Sequence, residues 1–233
     1  MTFDACDAGI QVVPYTPTHA AEWDAFVRAS RGGTFLFERA YQDYHADRFV
    51  DSSYIVRNAD GGVMALLPAD RLGTQLRSHG GLTYGGFIVD NAMTLVRLGS
   101  VFSATARRLR DDGVDTVWYK TTPSIYADGP ADDDRYWLFR HEARLVRRDV
   151  LSVIDLAAPW KEQEQRRRAR ARARKAGCAV SEEHGFGEFW EVLAANLAQR
   201  YGVAPVHSVA ETERLAAASP HTIRLLVARG GDG

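Results

Sequence analysis

The spacing of apolar residues changes several times along the chain, from every second residue to every third or fourth. This alternation predicts strands interleaved with helices. In the first part of the chain, strands are predicted at 10–16, in the two apolar runs that flank the turn NADGG within 52–72, at 82–90, at 114–122 and, as one or two strands, at 143–156. Helices are predicted at 18–30, 34–49, 94–113 and around 136–139. The runs beside NADGG are apolar on both faces, so we expect them at the centre of a sheet.

The order of elements then begins again after Ala157–Pro159. The pattern predicts a helix at 161–176, a strand at 178–184, helices at 186–202 and 209–220, and a strand at 222–229. We therefore predict an α/β protein with two units, 1–156 and 157–233.

Charge and composition limit the partners of such a protein. The 29 Lys and Arg residues are balanced by 30 Asp and Glu residues, and 45% of the residues are hydrophobic. A neutral, ordinary globular chain is not typical of a polyanion binder, so no nucleic-acid partner is predicted. Asp4 and Asp7 fall where a signal peptide would be apolar, and no apolar run reaches about 18 residues. The prediction is a cytoplasmic protein without stable membrane insertion.

Cys6 and Cys178 are the two cysteines of the chain. They lie far apart, without CxxC or Cys/His spacing, which excludes a disulfide framework or a zinc knuckle as a reasonable interpretation. No metal site is predicted.

A strongly basic segment stands out against this neutral background, since seven of the ten residues from 166 to 175 are Arg or Lys. On a helix, Ala169, Ala173 and Ala176 form a narrow small-residue stripe, which we expect to be packed. Three interpretations stand: a solvated face balanced by acidic residues elsewhere, a site for an anionic group such as a diphosphate, and, as the weakest, a nucleic-acid contact.

A second unusual segment, SHGGLTYGGFIVD, places four glycines around a predicted strand. Glycine weakens a strand unless a bulge, a close backbone or a ligand requires it. Ser78, His79 and Tyr84 are the polar residues beside this bend. The segment is therefore either a bulged strand with a packed tyrosine or the wall of a substrate cleft.

Tyr201 and His207 lie at the end of the predicted helix 186–202 and in the loop that follows. A single histidine in a loop is more often a hydrogen-bonded structural residue than a general base. The sequence shows no Ser-His-Asp set and no metal-ligand cluster, so the catalytic residues stay unknown.

Several longer segments occur together in a familiar order, among them GTFLFERAYQDYHADRF, ALLPADR, SHGGLTYGGFIVD, RRRARARARKAG and FWEVLAANLAQRYGVAPVHS. As a set, covering about residues 20 to 229, they resemble the FemAB-like branch of the GNAT N-acyltransferase superfamily. The resemblance implies two GNAT-like units in tandem, whose sheets meet around a substrate cleft. It also implies acyl transfer to an amine in the synthesis of cell-surface polysaccharide or peptidoglycan.

The resemblance also implies candidate residues and a missing part. The family pattern at the basic helix matches Arg167, Arg168, Lys175, Ala176 and Gly177, although the family usually has Asn or Gly where this chain repeats Ala-Arg. The substrate-binding residues predicted from the residues and the resemblance together are Ser78, His79, Tyr84, Arg167, Arg168, Lys175, Tyr201 and His207.

In the family, acyl-CoA binds to elements that would follow the strand 222–229. We therefore expect a C-terminally truncated member whose second unit is incomplete. It would hold no cofactor and bind acetyl-CoA weakly or not at all. Its partner would be a small-molecule, glycan or peptide precursor that serves as acceptor. The alternative to an acyltransferase is a non-catalytic remnant or acceptor-binding module.

Overall fold

The computed structural model of the chain describes residues 9–129, 131–159, 161–220 and 222–230. It divides the chain into two compact units, Met1–Arg144 and Leu145–Gly233. The sequence predicts a boundary between two GNAT-like units at residues 156 and 157, and this boundary stays a prediction. The N-terminal features around Asp4, Cys6 and Asp7 lie outside the described residues.

The first unit alternates short strands and helices, as the apolar spacing predicts. Its strands are β1 (Gln11–Pro14), β2 (Tyr54–Arg57), β3 (Val63–Leu67), β4 (Asp70–Leu72), β5 (Gln75–Arg77), β6 (Ile88–Val89) and β7 (Thr116–Trp118). Its α-helices are α1 (Ala20–Ala29), α2 (Arg39–Gln42), α3 (Leu95–Asp111) and α4 (Asp133–Arg140). Single 3₁₀ turns lie at Pro17–His19, Phe35–Phe37, Asp43–His45 and Ser124–Tyr126.

The larger sheet of this unit is antiparallel, in the order β1-β2-β3-β6. Strands β2 and β3 form the predicted hairpin. Its turn is fixed by the side-chain oxygen of Asn58, which accepts hydrogen bonds from the backbone N–H groups of Asp60 and Gly62, at 3.1 and 2.8 Å. The predicted central position of the two strands is confirmed. A smaller sheet pairs β4 with β5 in antiparallel fashion and β5 with β7 in parallel fashion.

The core of the first unit lies on both faces of the larger sheet, because successive side chains of a strand point to opposite faces. Val56 and Ala65 pack on one face with residues of α3, whereas Ile55 and Leu66 pack on the other face with Trp23 of α1. The buried Trp23 indole N–H donates to the Phe37 carbonyl at 2.8 Å. Its polar atom is thereby satisfied within the core.

The segment 34–49 is not the single helix that the sequence predicts. Glu38 has extended backbone angles, φ −70° and ψ 146°, and separates two short turns from each other. The N–H of Arg39 donates to the Asp24 carboxylate at 2.8 Å instead of to a carbonyl of a preceding turn. A side chain of α1 thus supplies the acceptor that a continuous helix would have provided.

The predicted strand 82–90 is reduced to the two residues of β6. The positive φ of Gly86, +89°, turns the backbone immediately before that strand. This backbone conformation is open to glycine and interrupts the strand geometry.

The second unit contains a two-stranded antiparallel sheet and three helices. The strands are β8 (Ala179–Glu183) and β9 (Leu225–Arg229), and the helices are α5 (Glu164–Lys175), α6 (Gly187–Tyr201) and α7 (Val209–Ala218). Phe186, Leu215 and Leu225 are its buried apolar residues within the described part of the chain. Each helix and strand predicted after residue 160 is present, with shifts of a few residues at the ends.

The strands predicted at 143–156 are not formed. The structure assigns this segment to no strand or helix, and its large apolar side chains are exposed, up to 95% for Val150. A strand needs a neighbour to satisfy its backbone groups. Period-two apolar spacing predicts an extended backbone but does not supply that neighbour.

The small-residue stripe of α5 is not packed, so this prediction was wrong. Ala169, Ala173 and Ala176 are all exposed, and the helix has no buried residue. An alanine stripe offers one methyl group per residue to bury, whereas its packing would desolvate the guanidinium groups on both sides. Over the ranges described, no helix is long and apolar enough to cross a membrane.

Candidate functional site

Ser78 lies buried where the glycine-rich segment passes the end of β7. Its hydroxyl oxygen accepts a hydrogen bond from the N–H of Lys120 at 2.7 Å, and its own N–H donates to the Trp118 carbonyl at 2.9 Å. The side chain therefore fastens two backbone segments to each other. No part of it reaches solvent, since its exposure is 0%.

His79 follows in an unusual backbone conformation, with a φ of +40°. Burial lowers the pKa of its imidazole, against the opposing effect of the Asp70 and Asp51 carboxylates. Lys120 reaches back into this turn, where its ammonium group donates to the carbonyls of His79 and Leu82 at 3.0 and 2.5 Å. The turn is thus built around a lysine and a buried imidazole that favours its neutral form.

Tyr84 completes the predicted group and is also buried. Its hydroxyl donates to the Thr34 side chain at 3.0 Å, and its ring stacks on Tyr126 with 4.9 Å between ring centroids. Burial raises the pKa of the Tyr84 hydroxyl. Ser78, His79 and Tyr84 therefore lie in one loop, although the sequence predicts Tyr84 within the strand 82–90, and each is engaged with the protein itself.

The glycines of this segment are explained by close approach within the fold. A Cβ on Gly85 would lie 2.0 Å from the Ser78 carbonyl oxygen, and one on Gly86 would lie 2.6 Å from the Tyr119 hydroxyl oxygen. Of the two interpretations of the segment, these contacts favour the packed, bulged strand. The substrate-binding role of Ser78, His79 and Tyr84 stays a prediction.

Ion pairs within the first unit surround the same loop. The fully buried Asp70 carboxylate accepts hydrogen bonds from the Arg77 guanidinium and from the N–H of Gly80. Arg39, 4% exposed, pairs with Asp51 and lies over the Tyr15 ring at 3.8 Å. Buried charges of this kind are retained when paired and hydrogen-bonded, so we assign these groups to the support of the loop.

A small cavity of about 50 Å³ lies elsewhere in the first unit. Its lining combines charged, polar and apolar residues: Arg31, Gly32, Phe87, Val89, Leu98, Thr122, Ala127, Ala131, Asp133 and Asp134. Arg31 pairs with Asp133 at 3.3 Å, with side-chain exposures of 21% and 37%, so this ion pair reaches solvent.

Asp134 of this lining is hydrogen-bonded to Tyr119, a residue outside the lining. The Tyr119 hydroxyl oxygen accepts a hydrogen bond from the N–H of Phe87 at 2.8 Å, and the hydroxyl is also hydrogen-bonded to the Asp134 carboxyl. Burial raises the pKa of Asp134, opposed by hydrogen bonds from the Arg135 N–H and from Tyr119. Burial also raises the pKa of Tyr119, so this phenol stays protonated.

The basic helix α5 lies in the second unit. Glu164, at its start, pairs with Arg167 and Arg168 at 2.7 and 2.9 Å, and Glu162, just before the helix, pairs with Arg170 at 2.7 Å. Arg166 forms no ion pair among the described residues. Arg167 and Arg168 lower the pKa of Glu164 by hydrogen bonding. Arg167 and Arg168, the arginines that match the family pattern, are therefore already paired with a carboxylate.

The second half of the helix carries Arg172, Arg174 and Lys175. They are exposed, and none of them forms an ion pair within the part of the chain that the structure describes. Lys175, which the sequence predicts to bind substrate, thus lies at the same end of the helix as two arginines that were not predicted as site residues. All three are accessible to an external anion.

Tyr201 and His207 lie beyond helix α6 in the second unit. Tyr201 is 70% exposed and precedes Gly202, whose φ of +66° ends the helix in a left-handed conformation. The backbone carbonyl of His207 accepts a hydrogen bond from the Trp190 indole at 2.8 Å. This bond fixes the loop and indicates a structural contribution of the His207 backbone.

The sequence missed the residues of the cavity in the first unit. Arg31, Thr122 and Asp134, which line it, come from distant parts of the chain, and none of them was predicted as a site residue from the sequence. Across the residues that the structure describes, no group of three or more His, Cys, Asp or Glu side chains is arranged to hold a metal ion.

No family model and no curated protein matches the chain. Among solved structures it is similar to a GCN5-related glucosamine N-acetyltransferase region in a fungal multi-domain GH3 β-N-acetylglucosaminidase. That match has 16% identity and a TM-score of 0.43, and it covers 96% of this chain and 26% of the other. It is also similar to FemX, with 14% identity, a TM-score of 0.49, and coverage of 94% and 57%.

The chain thus spans less than two thirds of the length of either structure. Both TM-scores are below 0.5, and the similarity at this level does not define the fold. What the structure shows directly is a mixed α/β protein with three small sheets among the described residues.

Proposed function

We propose that the chain is part of a FemAB-like N-acyltransferase of the GNAT superfamily, acting on a cell-surface polysaccharide or peptidoglycan precursor. The acceptor would carry an amine and an anionic group such as a diphosphate. The observation that supports this proposal is the unpaired basic end of α5, formed by Arg172, Arg174 and Lys175. The ordered set of family-like segments supplies the reaction class.

The charges of α5 favour an anion over the alternative of a merely solvated face. Glu162 and Glu164 pair with Arg167, Arg168 and Arg170 and leave Arg166, Arg172, Arg174 and Lys175 without an ion pair among the described residues. The C-terminal end of a helix carries a partial negative charge of about 0.5, which three cations outweigh. Arginine also presents a planar fork of donors that fits phosphate oxygens. Arg172 and Lys175, three residues apart, lie on one face of the helix, whereas Arg172 and Arg174 do not face each other, so a diphosphate would bind best between Arg172 and Lys175.

In the proposed reaction the protein positions the amine and the acyl donor, removes a proton from the amine and stabilises the tetrahedral oxyanion. The acyl donor would be an acyl-CoA. We expect this 233-residue chain to bind it weakly or not at all. A cytoplasmic place of action belongs to the proposal. The alternative is an acceptor-binding module without turnover, which would have the same anion site but no site for the acyl donor.

The anion site is tested by calorimetric titration of the purified chain with UDP-glucosamine and, separately, with inorganic pyrophosphate. The double variant Arg172→Ala/Lys175→Ala should weaken binding of both probes by about tenfold or more, because each charge-assisted hydrogen bond contributes about 1.5–3 kcal/mol. The matched control is Arg147→Ala/Arg148→Ala, which removes two charges from an exposed segment of the same unit. Equal weakening by both double variants would argue against a specific site at α5.

The choice between enzyme and binding module rests on acetyl-CoA. Turnover of acetyl-CoA with UDP-glucosamine supports the acyltransferase. Acceptor binding without acetyl-CoA binding supports the module. Saturable micromolar binding of acetyl-CoA, about −8 kcal/mol, would show that this chain contains the donor site after all.

A further inference from the structure

We propose that the cavity between Arg31, Thr122 and Asp134 in the first unit is a binding site for a compact primary ammonium group. This inference goes beyond the proposed function, because it depends only on the first unit and not on the basic helix. It combines a cavity of defined size with a buried carboxylate oxygen that lacks a hydrogen-bond donor.

The size of the cavity selects a small ligand. Its volume is about 50 Å³, whereas a single water needs about 10–15 Å³ in the same kind of measure. The lining includes the apolar side chains of Phe87, Val89 and Leu98, which suit a methylene group, and the carboxylates of Asp133 and Asp134. An ammonium group on a short alkyl stem fits this composition, and a quaternary ammonium group is too bulky for the volume.

The charge of the cavity selects a cation. Asp133 is paired with the arginine of the lining, Arg31, whereas Asp134 forms no ion pair among the described residues. Oδ1 of Asp134 is buried and has no hydrogen-bond partner among the described residues. A buried carboxylate oxygen without a donor is unfavourable. An ammonium group would supply both the charge and the missing donor.

Tyr119 gives the site a defined orientation. Because its hydroxyl oxygen already accepts the Phe87 N–H, its own hydrogen is directed to the Asp134 carboxyl. Asp134 is thereby held against the wall of the cavity. Burial is the main cause of the raised pKa of this carboxyl.

The test is an NMR titration of the ¹⁵N-labelled full chain with ethylammonium chloride at constant ionic strength, with tetramethylammonium chloride as the comparison. We expect saturable shifts at the amides of Gly32, Thr122 and Ala131 with ethylammonium alone. For so small a ligand the dissociation constant should be on the order of 1 mM or weaker. Absence of saturation, or equal shifts with tetramethylammonium, would overturn the proposal.

Two variants locate the binding. Asp134→Asn keeps the shape and removes the charge, and it should weaken ethylammonium binding about tenfold or more. The control Asp132→Asn removes a neighbouring exposed carboxylate and should leave binding unchanged. Ala127→Leu fills the cavity without altering any charge and should abolish binding. This variant tests the location of the site even if Asp134→Asn folds poorly. Binding that survives either Asp134→Asn or Ala127→Leu would refute the assignment.

Discussion

The two units follow the same alternation of strands and helices but differ sharply in what they bury. Of the 25 buried apolar side chains in the described residues, 22 belong to the first unit and three to the second. Burial of a large apolar side chain contributes about 1.5–3 kcal/mol, and it is the main term that offsets the conformational entropy of folding. A repeated pattern of elements therefore does not imply repeated stability.

The second unit relies instead on interactions at its surface. Arg229 of β9 pairs with Glu183 at 3.0 Å and with Glu188 at 2.7 Å, and Arg224 pairs with Glu182. These groups are exposed, so solvent and salt screen their attraction. We infer that the first unit is held by its core, whereas the second unit is more sensitive to solution conditions.

The largest effect is expected from a cavity in the core of the first unit. Leu66→Ala removes a fully buried side chain of β3 and should lower the free energy of unfolding by about 2–5 kcal/mol. Leu226→Ala, at a residue 63% exposed in the second unit, should change it by at most about 0.5 kcal/mol. Urea unfolding followed by circular dichroism measures both, and similar losses would contradict the contrast between the units.

Two glycines with positive φ sharpen the comparison further. Gly86→Ala adds a Cβ 2.6 Å from the Tyr119 hydroxyl oxygen and should cost about 1–3 kcal/mol. Gly202→Ala, at φ +66° with open space around it, should cost about 1 kcal/mol, from the backbone alone. Hydrogen exchange of the amides of each unit reports both effects. A larger loss of stability for Gly202→Ala would show that close packing does not determine the cost of adding a Cβ.

The units should also respond to acid at different pH values. Burial lowers the pKa of His79, so the unfolded chain takes up a proton first, near its ordinary pKa of 6.5. The first unit therefore gains stability above that pH and loses it progressively as the pH falls below 6.5. His79→Gln should remove this dependence below about pH 6.5, as measured by urea midpoints. An unchanged profile in the variant would assign the dependence to another group.

In the second unit the corresponding groups are carboxylates. Arg224 lowers the pKa of Glu182 by hydrogen bonding, and Arg229 does the same for Glu183 and Glu188. Their stabilising effect is complete above the ordinary value of 4.5 and is lost as the pH falls through the lowered values in the folded state. The protection factors of the amides in β8 and β9, which correct for the intrinsic pH dependence of exchange, should thus stay constant down to about pH 4.5 and then fall. A fall at higher pH would show that these ion pairs do not hold the sheet.

The smallest effect is expected from salt. At about 1 M NaCl the screening length falls to about 3 Å, which weakens exposed ion pairs more than buried ones. Exchange in β8 and β9 should accelerate modestly, whereas exchange in β2 and β3 should not change. Arg229→Gln should remove most of the salt response of the second unit. A salt response confined to the first unit would reverse the interpretation of the two units.

Much of the fold follows from the sequence wherever an element is defined by its own residues. The hairpin around NADGG, helix α3 and the helices after residue 160 were predicted from apolar spacing and turn residues. The break within the segment 34–49 was not predicted, because the acceptor for the Arg39 N–H is the side chain of Asp24. The absence of strands at 143–156 was not predicted either, because a strand also depends on a neighbour elsewhere in the chain.

The candidate sites show the same limit. The grouping of Ser78, His79 and Tyr84 follows from their closeness in the sequence, and so does the grouping of the cations of α5. The cavity, in contrast, joins side chains from positions 31 to 134, and its chemistry depends on an oxygen of Asp134 that only the fold buries. No local pattern contains that information.

The burial of Trp23 has an optical consequence. Its ring is 0% exposed and its indole N–H is held by the Phe37 carbonyl, so its surroundings in the folded chain are apolar and closed to aqueous solutes. Emission from this residue should lie at shorter wavelength than that of exposed tryptophans such as Trp118, and iodide in solution should not quench it. The fold of the first unit thus contains its own fluorescent reporter.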